Sequence, residues 1–382
     1  MALNCGIVGL PNVGKSTIFQ ALTAAPAEAA NYPFCTIEAN VGVVSVPDER
    51  LRTLADLVTT DRIVPTSVEF VDIAGLVAGA SKGEGLGNQF LARIRETGVI
   101  MHVVRCFEDP DVIHVSNTVD PVSDIETVNV ELALADLDTV DRRLPRTEKE
   151  AKSADKETAK RAQALLPLLR KLREMLSEGK PARLLVLDDD QQALIRELNL
   201  ITRKRQLYVC NVDEEAAAGG NRHVESVREY VSREAEYDRT LGADEKEAGG
   251  VITLSGKLEA EIASLETVEE QEEFLSSAGL DSSGLYRLIH AGYELLGLRT
   301  FFTVGPKEIR AWTFREGETA PQAAGRIHSD FQRGFIRAEV YSVDDLVAYG
   351  SEQKLREAGK LRQEGKEYRV RDGDVMNVRF NV

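Results

Sequence analysis

Short apolar runs alternate with longer stretches of helical period over most of the chain. Residues 3–8 form an apolar run. A glycine-bearing loop follows, and then helical composition from Thr17 to about residue 25, so strand, loop and helix are predicted in that order. Further strands are predicted at 42–46, 67–71, 99–106, 207–211 and 250–254, several separated by helical stretches long enough for right-handed crossovers. The pattern implies a mainly parallel sheet covered on both faces, an α/β architecture.

Between about 121 and 205 the period changes. Val130, Leu134, Leu137 and Leu144 fall on one helical stripe and Leu165, Leu169, Leu172 and Leu176 on another, which predicts an antiparallel helical hairpin inserted into the α/β domain. Pro145 and Pro167 would each interrupt a regular helix, so a break near the tip is expected. From about residue 299 the runs 301–304, 310–314, 338–341 and 376–382 are strand-like. Residues 321–330 suit a single helix, and Asp372-Gly373-Asp374 suits a tight turn, which together make a small α+β module. The expected organisation is a discontinuous domain of residues 1–120 and 206–298, a hairpin of 121–205, and a C-terminal module of 299–382.

With 382 residues, 43% of them apolar and 29% charged, the chain has room for two or three packed domains. No apolar run approaches the ~18 residues of a membrane span, and residues 1–9 run directly into a motif, so a cytoplasmic protein with no membrane association is expected. Cys5, Cys35, Cys106 and Cys210 are widely spaced with no C-x-x-C pair and are expected to be reduced. The net charge of -16 argues against indiscriminate coating of nucleic acid. Residues 142–173 nevertheless hold 11 Lys/Arg against 4 Asp/Glu, a local +7. Such a run is most often a solvated helical face.

Residues 9–16, Gly-Leu-Pro-Asn-Val-Gly-Lys-Ser, match G-x-x-x-x-G-K-[ST] between a predicted strand and a predicted helix. The glycines let successive N–H groups face phosphate. Lys15 offsets charge on the β- and γ-phosphates, and the Ser16 hydroxyl serves Mg²⁺. Asp72 and Gly75 form D-x-x-G directly after a predicted strand: the carboxylate would hold Mg²⁺ through a water, and the Gly75 N–H would sense the γ-phosphate. Thr36 is the candidate switch threonine, a Mg²⁺ ligand only when the γ-phosphate is present.

Guanine-specific switches of this class read the base with N-K-x-D. Here the strand end reads Asn211-Val212-Asp213-Glu214, with valine at the lysine position and the carboxylate longer by one methylene, so guanine discrimination of about 1–3 kcal/mol should be lost and adenine accepted. Ser255 and Gly256 suit a backbone contact to the base edge. The residue after D-x-x-G, a water-orienting glutamine in Ras-like switches, is Leu76, and His114 is one candidate substitute. Asn12 is a candidate ligand for a K⁺ ion. The expected nucleotide contacts are Asn12, Val13, Gly14, Lys15, Ser16, Thr17, Asn211, Val212, Glu214, Ser255 and Gly256. The expected metal ligands are Ser16, Thr36 and Asp72, and Lys15, Gly75 and His114 are the candidates for the chemistry.

These runs, together with Asn31 to Thr36, Asp72 to Leu91, Thr303 to Thr313, Ala320 to Val340 and the final strand, resemble the Obg-like ATPases, the YchF subfamily of the Obg group of translation-associated P-loop proteins. The resemblance spans nearly the whole chain. It implies a Ras-like P-loop domain, an inserted coiled-coil hairpin and a C-terminal β-grasp TGS domain. It also implies ATP preferred over GTP, slow hydrolysis to ADP and phosphate, and ribosome association. The stretch 215–249 departs from it and is expected to be a surface elaboration. A monomer is expected. Two alternatives stay open, a non-hydrolysing adenine-nucleotide sensor gating a protein partner and a GTPase with relaxed base selection.

Overall fold

The computed structural model describes residues 3–24, 40–73, 75, 86–112, 118–240 and 250–381. The first half of the chain runs β1 (Asn4–Val8), α1 (Lys15–Ala24), β2 (Val41–Val46), α2 (Glu49–Leu57), β3 (Ile63–Val64), β4 (Thr66–Asp72), α3 (Leu86–Glu96), β5 (Val99–Arg105), α4 (Pro121–Glu150), α5 (Lys156–Ser177) and α6 (Asp189–Ile195). Then come β6 (Gln206–Asn211), α7 (Arg222–Thr240), β7 (Val251–Leu254), α8 (Gly256–Ala263), α9 (Val268–Ser277) and α10 (Gly284–Leu295). The chain closes with β8 (Leu298–Val304), β9 (Ile309–Arg315), α11 (Ala320–Ile327), α12 (Ser329–Arg333), β10 (Phe335–Ser342), α13 (Val343–Tyr349), α14 (Glu352–Glu357), β11 (Arg362–Glu364) and β12 (Asp374–Phe380).

Two compact units divide the chain. The first holds 1–25, 37–42 and 70–288, and the second holds 26–36, 43–69 and 289–382. Thus residues 43–69, which lie between the phosphate loop and Asp72 in sequence, group with the C-terminal strands. Leu51 and Leu54 on α2 enter the same apolar cluster as Phe302, Tyr341 and Val375.

A six-stranded sheet has the order β2-β4-β1-β5-β6-β7. β1 and β5, β5 and β6, and β6 and β7 pair in parallel. Every residue of β5 and β6 is buried, as parallel strands covered on both faces require. The registers Val8↔His102, Arg105↔Asn211 and Asn211↔Leu254 bring the C-terminal ends of four strands to one edge, where the loops of α/β sheets carry their ligands.

The expected surface elaboration at 215–249 is corrected by α7. Val224, Val227 and Val231 are buried with Cys210 and Val212, so this helix is the covered crossover from β6 to β7. The dense charge of its outer face had hidden the apolar stripe.

The helical hairpin is α4 and α5. Leu165, Leu169, Leu172 and Leu176 are buried as predicted, but on α4 the buried stripe is Ile125, Val128, Leu132 and Val140, while Val130 is 47% exposed. Three buried acids, Asp124, Glu131 and Asp136, disguised that stripe. Neither proline breaks its helix. Both lie on exposed faces, where the carbonyl four residues earlier can turn to water.

Along the basic stretch all six arginines are ion-paired: Arg142 with Asp138, Arg143 and Arg146 with Glu150, Arg161 with Glu197, Arg170 with Glu148 and Arg173 with Asp141. Lys149, Lys152, Lys156, Lys160 and Lys171 are exposed and form no ion pair among the described residues, and four of them surround the turn between the two helices.

The second unit is a sheet of order β11-β10-β12-β8-β9-β3. β8 and β9 form an antiparallel hairpin, α11 follows, and β12 returns parallel to β8, a β-grasp arrangement. Successive side chains of a strand point to opposite faces. Phe301 accordingly packs with Ala320, Ala323 and Ala324 of α11, and Phe302 packs with α2 and α13. The single helix expected over 321–330 is two, because His328 leaves helical geometry and its side chain caps Asp330 N. Among the described residues no helix is long and apolar enough to cross a membrane.

Candidate nucleotide site

β1 delivers the chain to Gly9, and α1 begins at Lys15, so the intervening loop turns tightly enough to put Asn12 and Gly14 at positive φ (63° and 91°). A side chain at Gly14 would also place its Cβ 2.1 Å from Asn211 Nδ2, so the position takes glycine for two reasons. Val13 is buried, and its backbone rather than its side chain faces the site; Thr17 is exposed in the first turn of α1.

Lys15 is buried, and its Nζ donates to Leu10 O at 2.7 Å, folding the ammonium back over the loop. Burial pulls its pKa down to about 8 against the opposing pull of Asp72. At the end of β4, burial raises the Asp72 carboxyl above its ordinary range, while Lys15 and Ser16 oppose the rise. Both charged forms are therefore disfavoured by desolvation and supported by each other. Ser16 Oγ donates to Asp72 Oδ2 at 3.3 Å. Asp72 Oδ1 is buried without a hydrogen-bond partner among the described residues.

A hydroxyl and a carboxylate with a spare oxygen form a hard, all-oxygen donor pair, which fits Mg²⁺. Among the described residues no group of three or more His, Cys, Asp or Glu could hold a metal.

Gly75 approaches the loop closely: a Cβ there would lie 3.1 Å from Pro11 N and 3.3 Å from Lys15 Nζ. Thr36, Leu76 and His114 lie outside the described residues.

At the other end of the loop, Asn211 is buried and both ends of its amide are engaged. Nδ2 donates to Val13 O at 2.9 Å, and Oδ1 accepts from Gly256 N at 2.8 Å. Its side chain clamps the phosphate loop to the β7–α8 junction, so Asn211 positions the site. Because Gly256 spends its N–H on this clamp, that N–H is not available to a base. Ser255 caps α8 through Leu258 N. The Val212 side chain faces the core, 3% exposed and packed among Cys106, Cys210 and Leu258.

Of the three acids that follow, Glu215 is exposed and Asp213 accepts from Ala216 N at 2.9 Å within its own turn. Glu214 pairs with Lys257 Nζ at 2.6 Å. Lys257 was missed as a site residue. Its place directly after Ser255-Gly256 was the available signal, but its partner is 43 positions away in sequence.

Residues 4–211 match the family described as a 50S ribosome-binding GTPase, and residues 298–381 match a YchF GTPase C-terminal family described as a protein of unknown function. Proteins named ribosome-binding ATPase YchF are 53% identical over 384 residues in Bacillus subtilis (strain 168), 53% over 382 in Escherichia coli O157:H7 and 46% over 381 in Mycoplasma genitalium; each alignment covers 100% of both chains. The solved structure of the Schizosaccharomyces pombe YchF GTPase superposes with a TM-score of 0.86 at 34% identity, covering 99% of this chain and 97% of that one.

Proposed function

This chain belongs to the YchF family, and from that membership we propose that it is a ribosome-associated, Mg²⁺-dependent ATPase that hydrolyses ATP slowly and works as a nucleotide-gated switch. The observation that carries the reading is the convergence of Lys15, Ser16 and Asp72, with one buried Asp72 oxygen unpartnered among the described residues. In this reading the loop's N–H groups and Lys15 bind the β- and γ-phosphates. Ser16 and Asp72 would hold Mg²⁺, joined by Thr36 when the γ-phosphate is present. When bound, the ion neutralises charge shared by the β- and γ-oxygens. Gly75 lies close enough to Lys15 to register the γ-phosphate, and His114 is the proposed stand-in for the glutamine that Leu76 replaces. The three-part organisation, with the hairpin at 121–205 and the module at 299–382 as output surfaces, belongs to the same proposal.

Base preference follows from Glu214 in place of the shorter carboxylate. Competition between ATP and GTP for one site tests it, with ATP expected to displace GTP at lower concentration. The reverse order would leave a GTPase of relaxed selection. Asn12 is the proposed protein ligand of a K⁺ ion shared with phosphate oxygens. Turnover should then be faster in K⁺ than in Na⁺ at equal ionic strength, and equal rates would remove the ion from the scheme.

For the ribosome, the unpaired lysines at the hairpin turn are the proposed contacts with RNA phosphate. Affinity should fall steeply between low and moderate salt. Changing Lys149, Lys152, Lys156 and Lys160 to glutamine should reduce the log–log salt slope by roughly 3, because each lost phosphate contact removes just under one released counterion. A slope unchanged by the substitutions would place the contact elsewhere.

A further inference from the structure

We infer that Lys257 sets the purine preference of this site by competing for one oxygen of the Glu214 carboxylate and leaving the other as the uncontested acceptor for the base edge. The inference deepens the adenine reading above and rests on it. Asn211 holds the ends of β6 and β7 together through Val13 O and Gly256 N. Glu214 stands three residues beyond Asn211, and Lys257 one beyond Gly256, so the two flank the same rim. Asp213 is spent on its own turn and Val212 is in the core; of the exposed acids Glu214 and Glu215, Glu214 stands where the base-reading carboxylate of N-K-x-D would be. Its Oε1 lies 2.6 Å from Lys257 Nζ.

Donor arithmetic then separates the purines. Guanine presents two adjacent donors, N1–H and the exocyclic N–H, which match the two oxygens of one free carboxylate. Adenine presents one exocyclic donor at that edge. Adenine is satisfied by Oε2 alone, whereas guanine's second donor must share Oε1 with the ammonium, whose charge already draws on that oxygen and repels the donor, so guanine loses strength in one of its two bonds in a site the base itself dehydrates. The pair is solvent-exposed, 75% for Lys257 and 44% for Glu214, and adds little to fold stability. Its effect is on direction, and a base stacked over it would strengthen it by excluding water.

The test measures Kd for the β,γ-imido analogues of ATP and GTP with Mg²⁺ in the full-length chain and in Lys257→Met, Lys257→Arg and Glu214→Gln, alone and with Lys257→Met added. Lys257→Met should move the ratio of the two Kd values about tenfold toward GTP. Lys257→Arg, which keeps the ion pair, should leave it where the parent has it. In the Glu214→Gln background the Met substitution should no longer shift the ratio, because its effect runs through that carboxylate. A ratio within twofold of the parent for Lys257→Met, or an equal shift in the Gln background, overturns the inference. The parent's own ratio tests the adenine reading separately, since the inference is read from changes in that ratio. Unaltered circular dichroism of the exposed-site variants excludes misfolding.

Discussion

Lys15→Ala should lower ATP turnover by about a hundredfold or more, since removing a single preorganised group facing transition-state charge costs that much in comparable sites. The geometry gives two reasons. The ammonium is buried, so its charge acts through little water, and its bond to Leu10 O holds it over the loop. The fold itself should survive, because desolvation already disfavours the charged Lys15. Thermal unfolding separates these effects: Mg²⁺-ATP at a hundred times its Kd adds about 2.7 kcal/mol to the parent, and the variant should gain almost none of it. Single-turnover phosphate release, with this variant as the contamination control, also decides between an ATPase and a non-hydrolysing sensor. Release from the parent no faster than from the variant would favour the sensor, the reading that Leu76 suggests.

The largest stability effect is expected at the base of the hairpin. Asp136 on α4 is fully buried and accepts from Ile201 N at 2.9 Å, Thr202 N at 2.7 Å and Thr202 Oγ1 at 2.7 Å, with Arg95 at 3.3 Å. Arg95, in the last turn of α3, also donates to Ala135 O and Thr139 Oγ1, so one carboxylate joins the helix after the D-x-x-G loop to the hairpin and to the approach to β6. Burial raises the Asp136 carboxyl above its ordinary range against those donors. Asp136→Ala leaves several buried donors and a half-buried guanidinium without their acceptor and should cost about 3–5 kcal/mol. Asp136→Asn retains one acceptor oxygen, aims an N–H at another donor, and should cost less than alanine. Urea unfolding followed by helical circular dichroism measures both. Trp312, in the second unit, reports separately and should shift less. A loss under 1 kcal/mol for the alanine variant would refute this role.

Much of the site could be read from the chain because its motifs are contiguous. A strand, a Gly-bounded turn and a helix N-terminus over residues 9–16 form a phosphate cradle whatever surrounds them, and Asp72 declares itself by standing at the end of a strand. The errors share one cause. Val130 was assigned to the buried stripe of α4 because periodicity weighs only the side chains' own polarity, and the core there admits Glu131 and Asp136. The two prolines looked like breaks because exposure, which decides whether a freed carbonyl finds water, is a property of the packed hairpin. The local +7 of residues 142–173 does not show which charges are free, because arginines that pair across helices count the same as lysines that do not.

The amino-acid sequence alone determined that this chain builds a parallel α/β sheet with a phosphate loop at one edge, because runs of a few residues and their immediate neighbours suffice for strands, turns and caps. Tertiary structure decided what the motif positions do. Asn211 became a clamp through a bond spanning 198 positions to Val13 O, Glu214 acquired Lys257, and β3 joined the C-terminal sheet. Such assignments depend on which polar groups meet after burial, and no local pattern encodes a partner so far along the chain.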